Sequence, residues 1–171
     1  MMSNKNLCIL FTGQGSQYPK MGLDLLNNFE WVKDRYDKSS DILGYDVLKT
    51  QQNPELINLT EYSQPMIFIL SSIIIDIFKH KNIEHSSNIT LAGHSLGEYC
   101  ALYYAEALGF EEMLALVKTR GESMSKVSDP DKYAMHAILK KDDQKINEAS
   151  LIDGVYTVSY THLRAHETGS Y

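Results

Sequence analysis

The apolar residues of the N-terminal part of the chain form one short run, followed by a longer stretch with helical spacing. Leu7 to Phe11 is a continuous apolar run that ends before Gly13, a pattern typical of a buried parallel strand. Between residues 23 and 40 the apolar residues recur at helical spacing, which predicts one amphipathic helix. Its apolar side would consist of Leu25, Leu26, Phe29, Val32 and Tyr36.

The most apolar stretch is Met66 to Phe78, MIFILSSIIIDIF. It is well under the roughly 20 residues that a membrane-spanning helix needs, so we interpret it as a buried helix. Gln64-Pro65 is predicted to open this helix, because proline is favoured in the first helical turn. Gln64 would then cap a buried helix, and a contact with substrate is the alternative.

A turn that carries chemistry is predicted between a second strand, Asn88 to Ala92, and a helix from Glu98 to Leu108. The residues between them, GHSLG, contain a G-x-S-x-G pattern, which occurs where a strand turns sharply into a helix and exposes a serine. The glycines permit the tight turn. The N–H groups that open the helix suit a developing oxyanion. The pattern predicts Ser95 as a nucleophile; the alternative is a capping box formed by Ser95 and Glu98.

Two further features are predicted to lie near this turn. His94 is adjacent to Ser95 and cannot easily turn to accept its proton, so we interpret it as a structural residue or a pocket wall. The segment Thr12 to Gln17, TGQGSQ, matches neither common phosphate-binding motif. It does offer free backbone N–H groups and two glutamines at the end of the first strand, where sites collect in α/β sheets.

A second amphipathic helix is predicted after Gly109, with Met113, Leu116, Val117 and Met124 on its apolar side. Arg120 falls on the same side, and a buried arginine needs an anionic partner. Two interpretations stay open. The side chain reaches solvent or forms a structural ion pair, or it holds a substrate carboxylate by two parallel hydrogen bonds.

Composition narrows the class of protein. The chain has 171 residues, 43% of them hydrophobic, and a net charge of −6, which argues against a nucleic-acid partner. Cys8 and Cys100 are far apart and form no CxxC motif, so two reduced thiols in the cytoplasm are predicted. We expect no metal site and no membrane partner.

Three separated motifs resemble one family. FTGQGSQYPKMG, SQP, and GHSLGEYCALYYAEAL followed by VKTRGESM are similar in order and spacing to malonyl-CoA:acyl carrier protein transacylases of fatty-acid and polyketide synthesis. The resemblance covers roughly residues 6 to 157. It implies an α/β fold, with an α/β-hydrolase-like parallel-sheet core and an inserted ferredoxin-like small subdomain.

The resemblance also implies a reaction and its residues. Ser95 would take malonyl from malonyl-CoA as an ester and pass it to the phosphopantetheine thiol of acyl carrier protein, with no cofactor beyond the coenzyme A thioester itself. Gln14 and Leu96 match the positions whose backbone N–H groups form the oxyanion hole. Arg120 matches the residue that pairs with the malonyl carboxylate, and Gln64 and His94 would line the same pocket.

The C-terminal part departs from the family. The family's general-base histidine lies further downstream, so the chain is expected to be a truncated N-terminal half with little activity. We predict a core at 1–125, the start of the small subdomain at 126–157, including a strand over 133–139 and a helix over 142–149, and a non-native tail at 158–171. The tail, VSYTHLRAHETGSY, resembles a translated sequencing adapter, so His162 and His166 are rejected as bases. His136 stands where the family usually has alanine.

Two rival functions remain open at this point. A serine acyl hydrolase would share the same turn around Ser95 but would have no use for a buried Arg120. The other rival is a truncated assembly artefact without activity, for which the tail is the discriminating feature.

Overall fold

The computed structural model describes residues 6–81 and 88–127, together with Glu148 and Gly154. The chain divides into two compact units, Met1–Tyr133 and Ala134–Tyr171. Apart from Glu148 and Gly154, the predicted small subdomain and tail lie outside the described residues. Their boundaries, the strand over 133–139 and the helix over 142–149 therefore stay predictions.

Among the described residues, two parallel strands form a sheet in the first unit. Strand β1 spans Asn6–Phe11 and β2 spans Asn88–Gly93, so both predicted strands are confirmed. They pair in register from Asn6 opposite Asn88 to Phe11 opposite Gly93. Parallel strands need a long crossover connection, and here the crossover carries the helices of residues 23–80. Both strands end at the same edge of the sheet.

The prediction that the first strand is buried is wrong. Exposure alternates along β1: Leu7, Ile9 and Phe11 are partly buried, whereas Cys8 and Leu10 are exposed. Leu10 is 73% exposed. Successive side chains of a strand point to opposite faces, so the helices cover one face of this sheet. Among the described residues nothing covers the other face.

Six α-helices and one 3₁₀ turn account for most of the remaining described residues. They are α1 Leu23–Asn28, α2 Glu30–Leu43, α3 Val47–Thr50, the 3₁₀ turn Leu56–Asn58, α4 Thr60–His80, α5 Gly97–Tyr104 and α6 Phe110–Val127.

The single helix predicted over residues 23–40 is in fact two. Phe29 is extended, with φ −141° and ψ 109°, and separates α1 from α2. The break turns its ring onto Trp31, with the ring centroids 6.3 Å apart. Val32 and Tyr36 are buried, as the helical spacing predicts. The apolar stripe was therefore identified correctly, but the continuity of the helix was not.

Helix α4 begins four residues earlier than Gln64. Its first turn is closed by the Leu59 carbonyl, which accepts the N–H groups of Tyr62 at 3.0 Å and Ser63 at 2.8 Å. Pro65 lies in the second turn, where its missing N–H removes one backbone hydrogen bond without ending the helix. Gln64 is consequently inside the helix and fully buried. The interpretation of Gln64 as a helix cap is wrong.

The last two helices also differ in detail from their predictions. Helix α5 ends at Tyr104 instead of Leu108, and Glu106 beyond it has a φ of 60°. On α6, Leu114 is fully buried whereas Leu116 is 43% exposed, so the predicted stripe was misplaced at that turn.

Helix α4 is the centre of the hydrophobic core. Phe68, Ile69 and Ile73 are fully buried, and the helix packs against α2, α5 and most extensively α6. Within the described residues it is the one helix long and apolar enough to cross a membrane by length and composition. However, 56% of its apolar window is buried inside the protein, as in the central helix of a globular core.

A largely buried ion pair joins several of the helices. Arg35 of α2 and Asp76 of α4 approach to 2.5 Å, and their side chains are only 15% and 18% exposed. Arg35 also donates to Ser72 Oγ at 2.9 Å, and its guanidinium lies 4.0 Å from the ring centroid of Phe110. The Tyr103 hydroxyl donates to Asp76 at 3.0 Å. Four helices, α2, α4, α5 and α6, therefore meet at one charged pair.

We predict that Asp76→Ala lowers the free energy of unfolding by about 3 kcal/mol, because it leaves the Arg35 cation without its carboxylate in a poorly solvated site. Urea unfolding followed by the fluorescence of Trp31, the single tryptophan, measures this. Asp37→Ala is the control, since Asp37 pairs with Lys33 on the surface and its loss should change little. Equal losses in the two variants would contradict the structural role of the Arg35–Asp76 pair.

Candidate active site

Ser95 lies at a sharp turn between the end of β2 and the start of α5. Its φ of 55° is in the left-handed region, which costs a non-glycine residue about 1–2 kcal/mol. The turn is closed by the Gly97 N–H, which donates to the His94 carbonyl at 2.9 Å. A strained serine between a strand and a helix is the geometry that the G-x-S-x-G pattern predicts.

Three glycines allow the backbone to approach closely around Ser95. A Cβ on Gly93 would lie 2.1 Å from the Gly97 carbonyl carbon, and a Cβ on Gly97 would lie 2.3 Å from the Phe11 carbonyl oxygen. A Cβ on Gly13 would lie 2.5 Å from the His94 carbonyl oxygen. The end of β1, the loop after it and the serine turn are thus pressed together, and a side chain at any of these glycines would separate them.

Arg120 reaches from α6 to the serine. Its Nη2 donates to Ser95 Oγ at 2.8 Å and its Nη1 donates to Gln64 Oε1 at 2.5 Å. The ring of Tyr99 lies 5.4 Å from the guanidinium carbon, a favourable cation–π distance. The alternative of a structural ion pair finds no support in the described residues, since no carboxylate in residues 6–81 or 88–127 pairs with Arg120. The groups that contact the guanidinium beside Ser95 are neutral.

The fully buried Gln64 connects Arg120 to the loop after β1. Its Nε2 lies 3.2 Å from Met124 Sδ and 3.5 Å from Gln14 Oε1. Gln14 Nε2 in turn donates to Thr60 Oγ1 at 3.1 Å. Arginine has only donors, so the Gln64 oxygen must face it. The orientation of the Gln64 amide is therefore set by Arg120.

The loop after β1 is held by two bonds within itself and by one bond to Asn58. The Ser16 hydroxyl donates to the Gly13 carbonyl at 2.8 Å, and the Gly15 N–H donates to Gln17 Oε1 at 2.8 Å. Gly15 has a φ of 103°, which few other residues adopt. Gln17 Nε2 also donates to Asn58 Oδ1 at 3.2 Å.

The structure brings the predicted oxyanion-hole positions to the same edge of the sheet. Gln14 follows Gly13, which touches His94, and Leu96 follows Ser95. Within residues 6–81 and 88–127 neither the Gln14 nor the Leu96 backbone N–H has a hydrogen-bond acceptor. Leu96 has no exposed surface, so a ligand oxygen reaches its N–H only if a covering group moves. Their role as oxyanion donors stays a prediction.

No base contacts Ser95 in the part of the chain that the structure describes. The imidazole of His94 is exposed and makes no hydrogen bond to Ser95 there. Cys100, on α5, is not a rival nucleophile, because burial raises the pKa of its thiol to about 11 and keeps it protonated at neutral pH. The described residues contain no group of three metal-ligating side chains.

Sequence reasoning missed Thr60 and Tyr99 as neighbours of the site, whereas Met124 was placed on the same side of its helix as Arg120. Tyr99 lies in the first turn of the helix predicted after Ser95, which is the signal that could have indicated it. Nothing in the sequence indicated Thr60 as a neighbour of the site, because α4 was predicted to begin at Gln64, four residues after it.

The chain belongs to the acyl transferase domain family, which matches residues 9–163. That match continues past Thr157 into the segment predicted to be a tail. Family membership confirms the resemblance seen in the three motifs.

Similar proteins indicate which kind of acyl transferase the chain resembles. The malonyl CoA-acyl carrier protein transacylase of Synechocystis sp. is 37% identical over 150 residues, covering 87% of this chain and 48% of that protein. A polyketide biosynthesis malonyl CoA-acyl carrier protein transacylase of Bacillus subtilis is 36% identical over 142 residues, covering 82% and 46%. The chain spans about half the length of these relatives.

A solved structure supports the fold. The malonyl CoA-acyl carrier protein transacylase of Clostridium perfringens matches with a TM-score of 0.68 and 34% identity, over 85% of this chain and 46% of that one. The predicted α/β class is confirmed, while the hydrolase-like core and ferredoxin-like subdomain stay predictions.

We predict that Gly97→Ala destabilises the fold by about 3 kcal/mol, since the new methyl group would overlap the Phe11 carbonyl and force the backbone apart. Urea unfolding with Trp31 fluorescence measures the loss. Gly109→Ala is the matched control, because a Cβ there meets only Glu112 Oε2 at an ordinary 3.5 Å. Similar stability of the two variants would show that the close approach at Ser95 is not needed.

Proposed function

We infer that the protein transfers a malonyl group from coenzyme A to the phosphopantetheine thiol of acyl carrier protein, in fatty-acid or polyketide synthesis. The observation that carries the proposal is Arg120, whose guanidinium lies 2.8 Å from Ser95 Oγ with no carboxylate partner among the described residues. Its family and the names of its relatives support the same reaction. The proposed location is the cytoplasm.

The proposed reaction has two steps. Ser95 Oγ attacks the thioester carbonyl of malonyl-CoA, and the tetrahedral intermediate expels coenzyme A as its thiol, leaving a malonyl ester on Ser95. The carrier thiol then attacks this ester and releases the serine hydroxyl. The backbone N–H groups of Gln14 and Leu96 would stabilise the oxyanion in both steps.

The position of Arg120 favours a short acyl group with a distal carboxylate. In malonyl a single methylene separates the carboxylate from the reacting carbonyl, which matches a cation in direct contact with the nucleophile. The carboxylate oxygens would replace Ser95 Oγ and Gln64 Oε1 on the two terminal nitrogens of Arg120. A neutral acyl group would leave the cation poorly solvated and without a counter-ion.

The proton of Ser95 needs an acceptor that the described residues do not supply. The resemblance assigns this role to a histidine of the family's second half. Acylation of Ser95 would therefore depend on a base outside the described residues. Exogenous imidazole should accelerate the reaction by acting as the base.

We predict that Arg120→Ala slows acylation by malonyl-CoA about 100-fold, because the carboxylate loses two charge-assisted hydrogen bonds. Acylation by acetyl-CoA should not slow. Arg120→Lys should be intermediate, since lysine keeps the charge but not the fork. Intact-protein mass spectrometry over time, with imidazole present and Ser95→Ala as background, gives the rates.

The same experiment distinguishes malonyl transfer from the rival reaction, hydrolysis of acyl groups. If Arg120→Ala slowed both donors equally, the arginine would not select a carboxylate. If acetyl-CoA and malonyl-CoA were both hydrolysed without transfer to carrier protein, the chain would act as a serine acyl hydrolase.

A further inference from the structure

We propose that Thr60 is a positioning residue for this reaction: its hydroxyl holds Gln14 and, with it, the loop that carries the proposed oxyanion donor. The inference rests on the proposed function, because it assigns Gln14 a part in acyl transfer. It concerns a residue outside the motifs that suggested the reaction.

The other bonds of the loop do not involve Gln14: Ser16 bonds the Gly13 carbonyl, and Gln17 bonds the Gly15 N–H and Asn58. Gln14 is exposed and stands between two glycines, and Gly15 has a φ of 103°. Glycine permits many backbone conformations, so the side-chain bond of Gln14 helps to place its N–H. That side chain donates to Thr60 Oγ1 at 3.1 Å.

The backbone of Thr60 is held by contacts within α4 and with α6. It is the first residue of α4, and the Ser63 hydroxyl donates to its carbonyl at 3.4 Å. The same carbonyl oxygen would lie 3.2 Å from a Cβ on Gly121, so α6 packs tightly against this turn. Gly121 follows Arg120 directly. The anchor of the loop is therefore tied to the helix that carries the arginine.

The direction of each hydrogen bond requires an acceptor at position 60. Arg120 is a pure donor, so Gln64 presents its oxygen to Arg120 and its NH₂ to Gln14. Gln14 then presents its oxygen to Gln64 and its NH₂ to Thr60. Only a hydroxyl or another acceptor completes this order, and valine, which has the same shape as threonine, does not.

The two hydrogen bonds that Gln14 makes, with Thr60 and with Gln64, differ in strength. The Gln14–Thr60 bond is 3.1 Å long, whereas Gln64 Nε2 and Gln14 Oε1 are 3.5 Å apart. Hydrogen bonds weaken towards the longer distance. The main effect of Thr60 is thus on Gln14 and the oxyanion, and the effect on Arg120 is secondary.

The test compares Thr60→Val with Thr60→Ser. Thr60→Val should lower the maximal acylation rate of Ser95 about 3- to 10-fold, the loss expected for one hydrogen bond. The loss should be equal for malonyl-CoA and acetyl-CoA, with KM unchanged, because the oxyanion is common to both donors. Thr60→Ser should restore the rate. Thr119→Val is the matched control, since Thr119 Oγ1 bonds the Ala115 carbonyl on the exposed side of α6.

Hydrogen exchange gives a second readout that needs no activity. Peptides covering residues 12–17 should exchange several-fold faster in Thr60→Val than in Thr60→Ser, with α4 itself unchanged. Unaltered exchange in the loop, or a loss confined to malonyl-CoA, would overturn the proposal. Absence of any acylation in the wild-type chain would instead refute the proposed function, and faster loop exchange would then show Thr60 to be an anchor without a catalytic role.

Discussion

The close approach of backbone to backbone at Gly97 and Phe11 is the constraint on which the site depends. Because neither Gly93 nor Gly97 carries a Cβ, the end of β2 and the start of α5 approach closely, and Ser95 between them has a left-handed φ of 55°. The same contact fixes the end of β1, and therefore the loop that begins at Thr12. The strained serine and the loop beside it are consequences of one packing requirement.

Arg120 gives the site its charge. In the described residues its guanidinium is held by neutral groups, the Ser95 hydroxyl and the Gln64 amide, over the ring of Tyr99. A cation held in this way beside a nucleophile has unused affinity for a carboxylate. The Arg35–Asp76 pair provides a contrast, because there the partner carboxylate is present and the role is structural.

Local chemistry was predictable from the sequence, and long-range packing was not. The serine turn was predicted because glycine spacing determines backbone geometry directly. The start of α4 was misjudged because Pro65 suggests a first turn, whereas the Leu59 carbonyl closes the helix earlier. The break at Phe29 was missed because the apolar spacing continues through it and leaves no periodic signal. The partners of Arg120 likewise come from three other elements of the fold.

The most direct test of the account is to locate the acyl group chemically. The chain is incubated with malonyl-CoA and imidazole, digested, and its peptides are sequenced by tandem mass spectrometry. The account predicts a hydroxylamine-labile malonyl ester on Ser95, absent when Ser95 is replaced by alanine. Modification confined to Cys8 or to lysines, with Ser95 unmodified, would contradict it.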